Sequence, residues 1–238
     1  MSKKRRIQTK ATKMRTLKQH INEALKIGKN LSEWSAYSCQ PKTNEELKEI
    51  IKDRISKDGY ECDLNDIDTS LITDMSDLFA YSEFNCDISR WDVSNVKNMS
   101  RMFIHSKFTR DISNWNVSNV ENMGGMFYGT CFNGNISKWN VSKVENMERM
   151  FYNSKFNEDI SRWNVSNVKR MNSMFAYSEF NQDISRWNVS KVINFYKMFF
   201  KSDFNRDISK WKIRKDCDTS DMFVYCHIKE EYKPKLTR

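Results

Sequence analysis

The sequence predicts an α/β repeat solenoid: a right-handed coil with a parallel sheet on one face, short helical or 3-10 turns on the other, and a helical N-terminal cap. Three observations predict it. Six tryptophans, Trp91, Trp115, Trp139, Trp163, Trp187 and Trp211, stand 24 residues apart. The residues around them recur almost without gaps. The 238-residue chain holds 6 Gly and 2 Pro but 15 Phe and 13 Met, which excludes collagen-like and low-complexity chains and supplies apolar mass for a core.

Aligned on the tryptophans, one unit reads Asp-Ile-Ser-x-Trp-Asn-Val-Ser-Asn-Val-x-Asn-Met-x-x-Met-Phe-x-x-Ser-x-Phe-Asn-x. Units start at Asp87, Asp111, Asn135, Asp159, Asp183 and Asp207, and a diverged one starts at Asp63. The array of seven 24-residue repeats runs over 63–228. Fixed spacing means that each unit closes one turn of a coil. In the unit at Asp87, Ile88, Trp91, Val93 and Val96 form apolar-x-x-apolar-x-apolar, the strand pattern of a leucine-rich repeat. The step of two from Trp91 to Val93 puts both on one strand face. Met99, Met102 and Phe103, at steps of three and one, predict a helical or 3-10 return. Asn98, Asn122, Asn146 and Asn194 form one column, and Asn85, Asn133, Asn157, Asn181 and Asn205 another. In register, such columns bond turn to turn. The Asp column at the first unit position suits hydrogen bonds to backbone turns better than acid–base chemistry.

The flanks differ from the array. Thr43 and Glu46 have capping-box spacing, and Leu47, Ile50, Ile51 and Ile55 follow at helical intervals. A helix over about 44–57 is expected to cover the open end of the first unit, with Gly59 ending it. A second helix is expected over 16–33, so residues 16–62 form the cap. Residues 229–238 are a tail. Residues 1–15 carry no acid and read as a disordered basic arm.

The charge is uneven. Residues 1–30 hold ten basic residues and one acid, which equals the +9 of the whole chain, so the rest is neutral. Lys3, Lys4, Arg5 and Arg6 offer an anion-binding arm. No apolar segment follows them, so the sequence predicts a cytoplasmic protein, with the cell surface as the alternative. No run of 18 apolar residues occurs, so no transmembrane segment is expected. The six cysteines include no Cys-x-x-Cys pair, so no metal site is expected. Cys62 and Cys86 share one unit position in consecutive turns. That spacing lies within disulfide range, although free thiols are expected in a reducing compartment.

The repeat resembles that of the BspA-like leucine-rich-repeat surface proteins of bacteria, over about 63–228. Pro41 to Leu47 and Asp66 to Thr69 also resemble the segment that opens such arrays. The resemblance implies a leucine-rich-repeat solenoid, a surface location and binding of host or partner proteins. It brings no catalytic residues.

From the residues themselves, unit positions 4 and 6 face away from Trp and Val. Position 4 holds Arg90, Asn114, Lys138, Arg162, Arg186 and Lys210. Position 6 holds Asp92, Asn116, Asn140, Asn164 and Asn188. The sequence thus predicts a monomeric, non-catalytic protein-interaction module. It has no cofactor and binds a protein partner, acidic in character, through this exposed sheet face. The alternatives are attachment to nucleic acid or an anionic surface through the basic arm, and a bacterial surface adhesin.

Overall fold

The computed structural model describes residues 37–235. The chain divides into two compact units, Met1–Cys39 and Gln40–Arg238, and the contacts below lie within the second. The expected basic arm with Lys3, Lys4, Arg5 and Arg6, and the helix expected over 16–33, fall outside the described residues.

Each repeat is built from Asx-capped turns. In the unit at Asp87, the Asp87 carboxylate accepts the Ser89 N–H at 2.9 Å, and the Trp91 N–H folds back to the Ile88 carbonyl at 3.1 Å. The next five residues repeat the device: Asp92 accepts from Ser94 at 3.0 Å, and Val96 donates to Val93 at 3.0 Å. A third copy follows, in which Asn98 accepts from Ser100 and Met102 donates to Met99. Short Asx side chains bond the N–H two residues on and so favour turns. The sequence Asx-apolar-x-x-apolar is therefore a turn, written three times per unit.

This overturns the parallel-sheet solenoid and its leucine-rich-repeat strand. Among the described residues there is one α-helix, a 3-10 turn at Glu230–Tyr232 and no strand. Successive units touch through isolated parallel bridges, such as Asn98↔Asn122↔Asn146. The physical reason is competition for donors. A strand needs its N–H groups for a neighbour, but here Asx side chains and the turn carbonyls take them. The two-residue step from Trp91 to Val93 arises because one turn ends at Trp91 and the next begins at Val93. The expected sheet face therefore does not exist, and the return through Met99 and Phe103 is likewise made of turns.

Backbone hydrogen bonds still join the units. Met99, Arg101, Phe103 and His105 donate to the carbonyls of Asn122, Gly124, Met126 and Tyr128, and the same four-bond pattern recurs at all six junctions from Met75 to Val224. The donors are unit positions 13, 15, 17 and 19. Positions 15 and 19 have left-handed φ throughout, as in Arg101 (57°), His105 (51°) and Gly129 (66°). That conformation keeps every second N–H on the side of the following unit.

Side chains lock the register. Each indole from Trp91 to Trp211 donates to the carbonyl at position 2 of the preceding unit, at 3.0–3.2 Å. Asn133, Asn157 and Asn181 each accept the N–H of the residue 24 positions on, as the asparagine columns predict. The buried core between turns is aromatic: Phe103, Phe127, Phe151, Phe175 and Phe199 stack in a column with centroids 5.7–5.8 Å apart.

Helix α1, Asn44–Asp58, is capped by Thr43, which accepts the Glu46 N–H, and ends at Gly59 with φ 83°. Its Leu47 and Ile51 are buried. It joins the first unit through Asn44, whose amide donates to the Ser76 carbonyl at 2.9 Å, and through Arg54, which grips both Asp66 oxygens at 2.9 and 3.0 Å. At the other end Tyr232 closes back on Ile208, and Ile228 is buried.

Candidate functional site

The side of each unit that follows the buried Phe carries the residues at positions 18 and 19, of which Ile104 and Ala176 are buried. These pairs read Ala80-Tyr81, Ile104-His105, Tyr128-Gly129, Tyr152-Asn153, Ala176-Tyr177, Phe200-Lys201 and Val224-Tyr225. Each pair holds a single ring. Because the backbone bonds fix the register, the rings meet in a continuous ridge. Tyr81 contacts His105 at 5.3 Å, His105 contacts Tyr128 at 4.9 Å, and Tyr128 contacts Tyr152 at 4.5 Å. Tyr152, Tyr177, Phe200 and Tyr225 continue it at 5.3, 5.5 and 5.9 Å. The ridge is open to solvent: Tyr81 is 67% exposed, Tyr177 42% and Tyr225 74%.

Cations flank it. Lys201 Nζ lies 5.5–5.6 Å over the rings of Tyr177, Phe200 and Tyr225, and Lys197 sits over Tyr196 and Phe200. Arg101 pairs with Asp77 and Arg149 with Glu148, both at 3.0 Å. Beside the ridge is a groove of about 430 Å³ lined by Tyr81, Arg101, Gly124, Gly125, Tyr128 and Arg149. Burial pushes the Tyr152 hydroxyl above its ordinary pKa, helped by Tyr128 and Tyr177 beside it. The five tyrosines among these rings present apolar faces with polar tips, the chemistry that protein interfaces favour.

The residues expected on a sheet face are all at the surface, although no sheet carries them. Arg90, Asn114, Lys138, Arg162, Arg186 and Lys210 are exposed. An Asp stands three residues before Arg90, Arg162, Arg186 and Lys210 and offsets their charge locally, whereas the neutral Asn135 stands before Lys138. The Asp183 carboxyl is held below its usual value by the Ser185 N–H and hydroxyl, then by the charges of Arg186 and Arg206. Asp92, Asn116, Asn140, Asn164 and Asn188 are turn caps, each accepting the N–H two residues on.

Sequence reasoning missed the ridge because no single column shows it. The ring alternates between positions 18 and 19, and a consensus reduces both to x. The available signal was that every x-x pair after Met-Phe contains one ring. Cys62 and Cys86 do meet, with Sγ atoms 2.6 Å apart, and both are free thiols. Among the described residues no helix is long and apolar enough to cross a membrane.

An in-register stack of 24-residue turn units with a side-chain ladder at each junction defines a repeat protein. The chain belongs to the family described as "Mycoplasma protein of unknown function, DUF285", whose model matches it twice, over residues 45–154 and 130–233. Neither a curated protein nor a solved structure matches the chain.

Proposed function

We propose that the protein is a non-catalytic protein-interaction module and that its contact surface is the aromatic ridge from Tyr81 to Tyr225. The observation that supports this reading is the run of touching rings on an exposed face, which a fold stabilised by its buried Phe and Trp columns does not need. Repeat arrays bind along extended surfaces of this kind. Rigid Tyr side chains lose little entropy on contact. The likeness of the repeat to the BspA-like proteins supports the same class.

The test compares two variants in an affinity pull-down from the native host at moderate salt. One carries Tyr81→Asn, Tyr177→Asn and Tyr225→Asn, since Asn tolerates left-handed φ. The other carries Arg90→Glu, Arg162→Glu and Arg186→Glu. Ridge binding predicts at least tenfold less recovered partner with the first and little change with the second. Unchanged recovery with a properly folded ridge variant overturns the reading.

A further inference from the structure

The last unit repeats the backbone of the others, and among the described residues no further repeat unit stacks on it, although the tail closes on Ile208 through Tyr232. Thr219, Asp221, Phe223 and Tyr225 occupy positions 13, 15, 17 and 19 of that unit. In every earlier unit the N–H groups at these positions donate to carbonyls of the next. Here no described group accepts them, although the turn bonds Met222 to Thr219, Val224 to Asp221 and Cys226 to Phe223 are all formed. Asp221 keeps the left-handed φ of 55° and Tyr225 of 56°. Phe223 stacks on Phe199 at 5.8 Å, continuing the buried ring column. Val224 is 38% and Tyr225 74% exposed. The unit is thus set as an inner unit is, with its donor row unfilled.

We infer that this end docks one further turn of the same kind, supplied by a partner polypeptide. The donor row dictates the occupant's chemistry. All four groups are N–H, so the occupant must present backbone carbonyls at alternate residues, as positions 12, 14, 16 and 18 do at every inner junction. Adding a chain to an open backbone edge is an established recognition mode. Two copies meeting through this end would set donor against donor. The acceptor side of a second copy is partly covered as well, because α1 lies against it and takes one of its four carbonyls. Asn44 takes the Ser76 carbonyl, and Ile51 and Ile55 line a cavity of about 460 Å³ with Leu78, Phe79 and Phe84. A foreign segment carrying a repeat-type turn, with a ring to stack on Phe223, meets the requirement. The Lys233 ammonium, 5.6 Å over that ring, moves aside as the segment seats. This end meets the ridge only at Tyr225, which gives the ridge its last ring and the donor row its last N–H, so amide protection at Thr219, Asp221 and Phe223 reads the end independently of the ridge.

The experiment reads amide hydrogen exchange on the full chain, using as probe residues 145–158 of the protein itself, the part of a unit that supplies this edge. The probe is added as a free peptide and, in a second form, attached after Arg238 through a flexible glycine–serine linker, which raises its effective concentration to the millimolar range. In the protein alone, Thr219, Asp221, Phe223 and Tyr225 are expected to exchange at least a hundredfold faster than Phe195, Lys197, Phe199 and Lys201. The tethered probe is expected to slow those four amides at least tenfold, and a tether of scrambled sequence to leave them unchanged. The inference is overturned if the four amides are already protected in the monomer, or if neither form of the probe protects them. Protection that grows with protein concentration together with a doubled mass names a second copy as the occupant and also overturns it.

Discussion

The indole Nε1 of Trp163 donates to the carbonyl oxygen of Ile136 across 3.1 Å, one unit away. That carbonyl also closes the turn inside its own unit by accepting the Trp139 N–H. A single oxygen therefore fixes both the shape of one turn and the position of the next. Replacing Trp163 by Phe keeps an aromatic ring in the core but removes the second bond. Since the oxygen retains one partner, the loss is that of a single net hydrogen bond plus a little area, about 1 kcal/mol. Trp163→Ala also opens a cavity and is expected to cost about 3–5 kcal/mol. Thermal unfolding should rank wild type, Phe and Ala in that order. A Phe variant as unstable as the Ala variant would show that the bond, not the ring, dominates.

The left-handed column makes a prediction of opposite sign at two positions. Ser173 has φ 56° and is buried, in the place where the unit at Asp111 has Gly125. A side chain in that conformation costs about 1–2 kcal/mol, partly offset by the greater freedom of glycine in the unfolded chain. Ser173→Gly should therefore raise Tm by about 2–4 °C. Gly129 has φ 66°, and a Cβ there would come within 2.4 Å of His105 Nδ1. Gly129→Ala should lower stability by about 1–2 kcal/mol. Adding His105→Ala should recover the steric part and leave the conformational part.

The same two columns show what was legible in advance. The unit length, its seven copies, the asparagine ladders and the capped helix at Thr43 follow from spacing, because identical residues at a fixed period must meet identical surroundings. The Asp column was also readable as turn-binding. The backbone path was not, because apolar-x-x-apolar-x-apolar is compatible with a strand or with two abutting turns. The deciding residue is the Asx before each apolar pair, here Asp87, Asp92 and Asn98, which takes the N–H a strand would need. The ridge was hidden for a different reason: its geometry depends on which neighbour, 18 or 19, bears the ring, and that becomes irrelevant only once the register is known.

Acid should weaken the array through the caps at position 1. The Asp159 carboxyl is held below its ordinary value of 3.8 by the Ser161 N–H and then its hydroxyl, and Asp183 likewise by Ser185. A carboxylate whose pKa is lower in the folded state stabilises fully above the unfolded value and loses that contribution as pH falls through the folded one. Stability should hold from neutrality to about pH 4 and decline below it. The unit at Asn135 contains the control, since its neutral amide oxygen accepts the Ser137 N–H at 3.0 Å without a titrating group. Asp159→Asn with Asp183→Asn should flatten the decline between pH 4 and 2. An equally steep decline in that variant would place the acid sensitivity elsewhere.

The thiols should separate by chemistry rather than by number. Cys86 is fully buried beside Cys62. Burial, followed by the hydrogen bond with Cys62, pushes its thiol up to about 12. Cys131 is exposed. Only the thiolate is nucleophilic, and at pH 8 a thiol with that pKa is ionised on the order of once in 10⁴ molecules. Iodoacetamide at pH 8 should therefore modify Cys131 at least a hundredfold faster than Cys86, as read by peptide mass spectrometry over time. In concentrated urea the two rates should converge, because unfolding removes the burial that raises the Cys86 thiol. Equal rates in the folded protein would mean that the junction between the first two units opens readily, and that the bonds from Asp87 to Cys62 and from Leu64 to Asp87 do not hold it shut.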